Sequence, residues 1–209
     1  SACAHVCLCK RHCPLGLSRR RALASGPGPE RFASVQQYMT RIKACAKVGD
    51  EQRAEWWLSE MRTAHFEPDL QAYNAVLDAC ANSDRIGVAE RVWAAMKASS
   101  LRPDAYSYCS MIRRCQHTRD VKHAEALFSE LTATGVRPTQ HVYDALLNVC
   151  ASAGDLRAAE TWYHRLTAQG VHLGVTGHNA LIVVSAKARN IEKALRWFRS
   201  IGEAGLTPD

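Results

Sequence analysis

Tyr73-Asn74-Ala75-Val76-Leu77-Asp78-Ala79-Cys80 is the stretch that decides the fold. Tyr73, Val76, Leu77 and Cys80 fall at i, i+3, i+4 and i+7, one apolar stripe of an α-helix. A break follows at Asn82-Ser83-Asp84, and a second stripe runs Ile86, Ala89, Val92, Trp93 and Met96. Arg102-Pro103-Asp104 ends it, because proline cannot continue a helix. The 35 residues 70–104 therefore predict a hairpin of two helices.

Steps of 35 residues in either direction land on the same residue types. Tyr38, Tyr73, Tyr108 and Tyr143 keep the period, with His178 fifth. Cys45, Cys80, Cys115 and Cys150 keep it, as do Ile42, Leu77, Ile112, Leu147 and Ile182. Ala54, Ala89, Ala124, Ala159 and Ala194 keep it without exception, where two helices of a hairpin would cross closely. Trp57, Val92, Leu127, Trp162 and Trp197 follow, then Met61, Met96, Leu131, Leu166 and Ile201. Pro68, Pro103, Pro138 and Pro208 close four units, with Leu173 in the other. The units are 35–69, 70–104, 105–139, 140–174 and 175–209, with no insertion or deletion. One hairpin cannot bury its own apolar face, whereas stacked neighbours can. The expected fold is all-α: a right-handed α-solenoid of five 35-residue helix-turn-helix repeats with one concave surface.

The remaining composition fits that frame. Of 209 residues, 47% are hydrophobic and 22% charged, as in soluble globular chains. The longest nearly uncharged stretch, 171–186, carries His172, Thr176, His178 and Asn179, unlike a membrane span. The net charge of +7 is concentrated in residues 1–34, with six basic side chains against Glu30 alone. Those residues form a basic, Cys-rich leader, closed by Ser25-Gly26-Pro27-Gly28-Pro29. It reads as a transit-like or disordered segment, as an upstream linker, or as a metal site built on Cys3, His5, Cys7, Cys9, His12 and Cys13. The metal reading suffers from the absence of a second ligand pair at the usual spacing.

Cysteines repeating at a fixed long period are core positions rather than a disulfide framework, so Cys45, Cys80, Cys115 and Cys150 should be reduced and buried. Basic residues outnumber acidic ones on the first helices: Arg41, Lys43, Lys47, Arg113, Arg114 and Lys187 against Asp78 and Asp144. If those helices line the concave surface, the groove suits a polyanion. No phosphate loop, HExxH or GxSxG motif is present, and the histidines are scattered, so no catalysis and no cofactor are expected. Trp56-Trp57 and Tyr163-His164 read as packing or partner contacts on second helices.

With Tyr-Asn near its start and Pro-Asp at its end, the 35-residue hairpin resembles the pentatricopeptide repeat (PPR) family. Unit two shows this best, and unit five repeats it in His178-Asn179-Ala180-Leu181-Ile182 and Thr207-Pro208-Asp209. The resemblance covers 175 of the 209 residues; tetratricopeptide repeats have a period of about 34 and a different aromatic pattern. The resemblance implies single-stranded RNA binding at about one base per repeat. Reading would fall to the residue after the first-helix Tyr and the last residue of each repeat. Those pairs are Met39 with Asp69, Asn74 with Asp104, Cys109 with Thr139, Asp144 with Gly174, and Asn179 with Asp209. By the family's code the two Asn/Asp pairs look like uracil readers at repeats two and five, and the other three pairs receive no base. Where the family often places an aliphatic wedge between bases, this chain has Gln36, Gln71, Tyr106, His141 and Thr176. Lys47 and Lys187, equivalent in their units, are expected to reach phosphates. The implied role is a sequence-selective RNA-binding adaptor in organellar RNA metabolism, of the mitochondrion or plastid, with possible protein partners and no membrane. The alternative is a protein–protein interaction solenoid without base readout.

Overall fold

The computed structural model describes residues 34–83 and 87–206. The leader readings, with Asp84, Ile86, Pro208 and Asp209, lie outside these described residues. Among the described residues ten helices follow in order: α1 Val35–Val48, α2 Glu51–Thr63, α3 Leu70–Ala81, α4 Val88–Ala98, α5 Ala105–Thr118, α6 Val121–Ala133, α7 Gln140–Ala153, α8 Leu156–Ala168, α9 Val175–Lys187 and α10 Ile191–Glu203. There is no strand among the described residues. Each expected unit is a pair of helices, so the all-α repeat architecture is the one the period predicts.

Each helix starts and stops for a local reason. The side chains of Asp50, Asp120, Asp155 and Asn190, one period or two apart, cap the second helices by accepting from the backbone N–H three residues on. Before them the chain turns through the left-handed region at Gly49, Arg119, Gly154 and Arg189. A second left-handed position recurs after each second helix, at His65, Ser100, Gly135, Gly170 and Gly205. Asp69 and Asp104 are the N-caps of the next first helix, each accepting from a backbone N–H at 2.8 Å. Thr139 and Gly174 occupy the same place without a side-chain cap bond.

The first helices pack on one another along the whole array, while the second helices meet their neighbours more sparsely. A closely spaced inner row and a splayed outer row curve the stack so that the first helices line its concave side. The periodic residues form the seam between the rows. Tyr38, Tyr73, Tyr108 and Tyr143 are buried, as are the first four period alanines and all of Met61, Met96, Leu131, Leu166 and Ile201. Ala194 and Ile182 are only half-buried, because no further first helix covers the fifth unit among the described residues. Ile191, Leu195 and Phe198 are exposed there for the same reason. Aromatic edges knit neighbouring units: Trp93 meets Tyr108 at 5.1 Å between ring centres, and Phe128 meets Trp162 at 4.7 Å. A ladder on the outer row reinforces them, with Glu55 accepting from Arg91, Glu125 from Trp162 Nε1, and Glu160 from Lys193. Of the aromatic pairs read as packing contacts, Trp57 is buried, whereas Trp56 and His164 are exposed.

Candidate nucleic-acid interface

Among the described residues, cavities open on the inner row at two places. One, of about 490 Å³, lies between the first two repeats and is lined by Lys43, Lys47, Gln71, Asn74, Asp104 and Tyr106, among others. The other, of about 510 Å³, lies between repeats three and four, against Tyr106, Cys109, Arg113, Thr139, His141 and Asp144. Candidate reading and wedge positions from successive repeats thus converge on two hollows, with Tyr106 forming a wall of both.

In the second repeat the pair is joined. Asn74 Nδ2 donates to Asp104 Oδ1 at 3.3 Å. A third residue, Ser107, completes the unit. Its fully buried hydroxyl lies 2.6 Å from Asn74 Oδ1 and 2.9 Å from Asp104 Oδ1, and it accepts from the Asp104 backbone N–H at 3.2 Å. The amide of Asn74 is therefore held in one orientation from both ends. One N–H and one lone pair remain for a ligand edge. Asp104 achieves this while capping α5, so one carboxylate sets the helix start and the amide together. No period reading could have found Ser107, since the equivalent residues are Gln37, Ala72, Val142 and Gly177.

The other pairs are less complete. Met39 is buried, and Asp69 turns its carboxylate to the Ala72 N–H. The Cys109 thiol donates to the His141 carbonyl at 3.5 Å, facing Thr139 across the second cavity. Asp144 is only 8% exposed, its Oδ1 has no hydrogen-bond partner, and Gly174 offers it no side chain. Burial pushes the Asp144 carboxyl above the ordinary carboxylate range, against the pull of His141 and His178. Asn179 is exposed on α9, and its partner Asp209 lies outside the described residues.

The charge of the groove is smaller than the count along the first helices suggests. Arg114 is buried and paired with Glu90 at 2.7 Å, away from both cavities. Its equivalents Ala79, Val149 and Val184 are fully buried, so this position faces a neighbouring helix, not the groove. Arg41 occupies the position of buried Val76, Met111, Leu146 and Leu181, and its guanidinium lies over the Trp57 ring. Arg113 lines the second cavity but pairs with Asp78 at 3.2 Å and donates to Asn82 at 2.9 Å. Lys43 and Lys47 face the first cavity. Lys187 instead donates to the Ala151 carbonyl at 2.7 Å, at the end of α7, and lines neither cavity. His117, one period pair earlier, contacts the Ala81 carbonyl at 3.1 Å in the same way.

The periodic cysteines are buried and unpaired, as a repeated core position requires. Burial pushes the Cys80 and Cys150 thiols up to about 12 and that of Cys115 to about 11, so all three stay protonated at neutral pH. Such thiols are neither nucleophiles nor metal ligands, and no cluster of His, Cys, Asp and Glu suited to a metal ion occurs among the described residues. No described helix is long and apolar enough to cross a membrane.

Comparison with known proteins agrees with this architecture. The PPR domain of Arabidopsis thaliana protein-only RNase P 1, solved in complex with tRNA, is 18% identical, with a TM-score of 0.65 over 81% of this chain and 90% of that one. The pentatricopeptide repeat protein PPR10, solved with an 18-nt psaJ RNA element, is 21% identical, with a TM-score of 0.78 over 85% of this chain. PPR10 from maize is 28% identical, with a TM-score of 0.68 over 84% of this chain. This chain spans about a quarter of each PPR10 chain, 26% and 25%. No curated protein sequence matches. The family described as the pentacotripeptide-repeat region of PRORP matches residues 29–204. With five helical hairpins in unbroken register beneath that match, the chain belongs to the pentatricopeptide-repeat family.

Proposed function

We propose that the array binds single-stranded RNA along its inner row, about one nucleotide per repeat, as an adaptor in organellar RNA metabolism. The observation that carries this reading is the Asn74–Asp104–Ser107 unit at the first cavity. A fixed amide presenting one donor and one acceptor matches the N3–H and carbonyl of a uracil edge. Asn179 with Asp209 would repeat that reading at the fifth unit, three repeats on. Lys43 and Lys47 beside the first cavity supply charge for phosphates. Lys187 would have to release the α7 carbonyl to do the same. The neighbours solved with an RNA element and with tRNA support the ligand class. The action is occupancy: a held strand is shielded from nucleases, kept from pairing, or delivered to a protein partner. Maturation, stability, editing and translation of a transcript are all served by such binding, and a mitochondrial or plastid location follows the family resemblance.

The test is direct binding of short single strands. Strands with U at the second and fifth bases should bind best, with affinities of about micromolar for so few contacts. Equal competition by poly-U and poly-A at moderate salt would remove base reading. Absence of binding by any strand would remove RNA as the ligand.

A further inference from the structure

The second cavity differs chemically from the first. Its wall residue Tyr106 is 53% exposed, and His141, the next wedge position, is exposed beside it. Its polar edge is not a clamped amide but the Asp144 carboxylate, nine-tenths buried and with Oδ1 unpartnered. No described residue satisfies that oxygen. Gly174 lacks the side chain that Asp104 supplies to Asn74. Gly177, at whose Cβ position Oδ1 would stand 2.7 Å away, leaves the room that the carboxylate occupies. His178 turns its Nδ1 to the Gly174 carbonyl instead. Arg113, in the same cavity, is held by Asp78 and Asn82.

We propose that the cavity between repeats three and four is a slot for a purine base carrying an exocyclic amine, stacked on Tyr106 and donating to the Asp144 carboxylate. The inference rests on the RNA-binding reading above and assigns a base class where the Asp144/Gly174 pair had none. Three arguments carry it. A carboxylate only accepts, so its ligand must donate, and the amines of adenine and guanine do. Uracil has a single donor, N3–H, flanked on both sides by carbonyl oxygens that would stand against the carboxylate, which is unfavourable for a buried charge. An exposed tyrosine face in a cavity of about 510 Å³ favours the larger ring system, since stacking grows with overlapped area. Neighbouring hollows on one groove would then choose opposite partners: uracil at the fixed amide, an amino-purine at the carboxylate.

A single adenosine walked through an otherwise all-uridine strand tests this on the full chain. At one position it should strengthen binding by about fivefold or more over uridine. Nebularine, which keeps the purine ring and lacks the amine, should lose most of that gain. Asp144→Asn should erase the difference between adenosine and nebularine. Tyr106→Leu should weaken both purines alike, and Tyr106→Phe should bind as the parent does. The proposal is overturned if the all-uridine strand binds and adenosine improves it nowhere, or if Asp144→Asn leaves the adenosine–nebularine difference intact. A gain with cytidine equal to that with adenosine would overturn the purine assignment. Failure of every strand, the all-uridine one included, would overturn the RNA-binding reading and the slot with it.

Discussion

Ser107→Ala tests the amide clamp at its least obvious member. The hydroxyl is fully buried, holds the Asn74 carbonyl oxygen at 2.6 Å and accepts the Asp104 N–H at 3.2 Å. Its loss removes two hydrogen bonds and leaves a mostly buried amide oxygen without a partner. Asp104 keeps its bond to the backbone N–H of residue 107 at 2.8 Å, so α5 retains its cap. The net cost is about 1–2 kcal/mol. At about 2–4 °C per kcal/mol for a chain of this size, thermal denaturation should fall by several degrees. The functional consequence is separate. Asn74 is then pinned at its Nδ2 end alone and can turn over. A turned amide suits cytosine, whose N3 accepts where uracil donates. The uracil-to-cytosine preference at the second base should drop by about fivefold, the equivalent of about 1 kcal/mol. Both quantities come from one purified variant, by a melting curve and by fluorescence anisotropy with paired strands. A lower melting temperature with an unchanged preference would show that the clamp serves only the fold. No change in either would refute the geometry itself.

Three further perturbations address other parts of the molecule. Ala124→Leu places a large side chain at a fully buried helix crossing and should cost about 1–3 kcal/mol; an unaltered melting temperature would contradict the assignment of helix faces. Glu51 is buried with both carboxylate oxygens unpartnered, where other repeats hold Val121, Leu156 and Ile191, so Glu51→Leu should stabilise the array by about 1–3 kcal/mol in chemical denaturation, and a loss would mean that the carboxylate has a stabilising role. The Asp144 carboxyl is raised in the fold, so folding is penalised once it ionises: the penalty is absent below its ordinary value of 3.8 and grows as pH rises through the raised one. Asp144→Asn should therefore melt higher than the parent at pH 7, with the gap closing towards pH 4; a gap independent of pH would exclude ionisation as the cause.

The hairpins were legible because their packing is identical from unit to unit. A seam position such as 61, 96, 131, 166 or 201 meets the same neighbours five times, so its apolar character recurs and the period exposes it. Backbone conformation is less visible. The left-handed turn after each second helix is occupied by His65 and Ser100 as well as by three glycines, so no single residue type announces it. The last residue of each repeat was legible only as a reading position. In the fold it is first the N-cap of the following helix, which explains Asp69 and Asp104 without any ligand. Asp104 is distinguished from Asp69 by what lies opposite: Asn74 in one case, Met39 in the other.

The groove was harder to read because its character depends on faces within a helix, not on helices. Arg41 and Arg114 raise the first-helix charge on paper, yet both stand at positions that are apolar in the other repeats, and buried there in all but Ala44 of the first. Comparing them with their own period equivalents would have removed them from the groove, leaving Lys43, Lys47 and a neutralised Arg113. The same logic runs in reverse for specificity. A repeat is recognised by what its units share, whereas a chain that distinguishes one base from the next must differ between units at the positions facing the ligand. Ser107, Tyr106 and Asp144 each stand where the residue changes from unit to unit, and each lies at a cavity wall or locks a residue that does. Glu51 also breaks its period but lies in the interior, away from both cavities, and its effect should be on stability alone. Departure from the repeat thus marks a candidate, and position relative to the groove decides between a ligand contact and a cost to the fold.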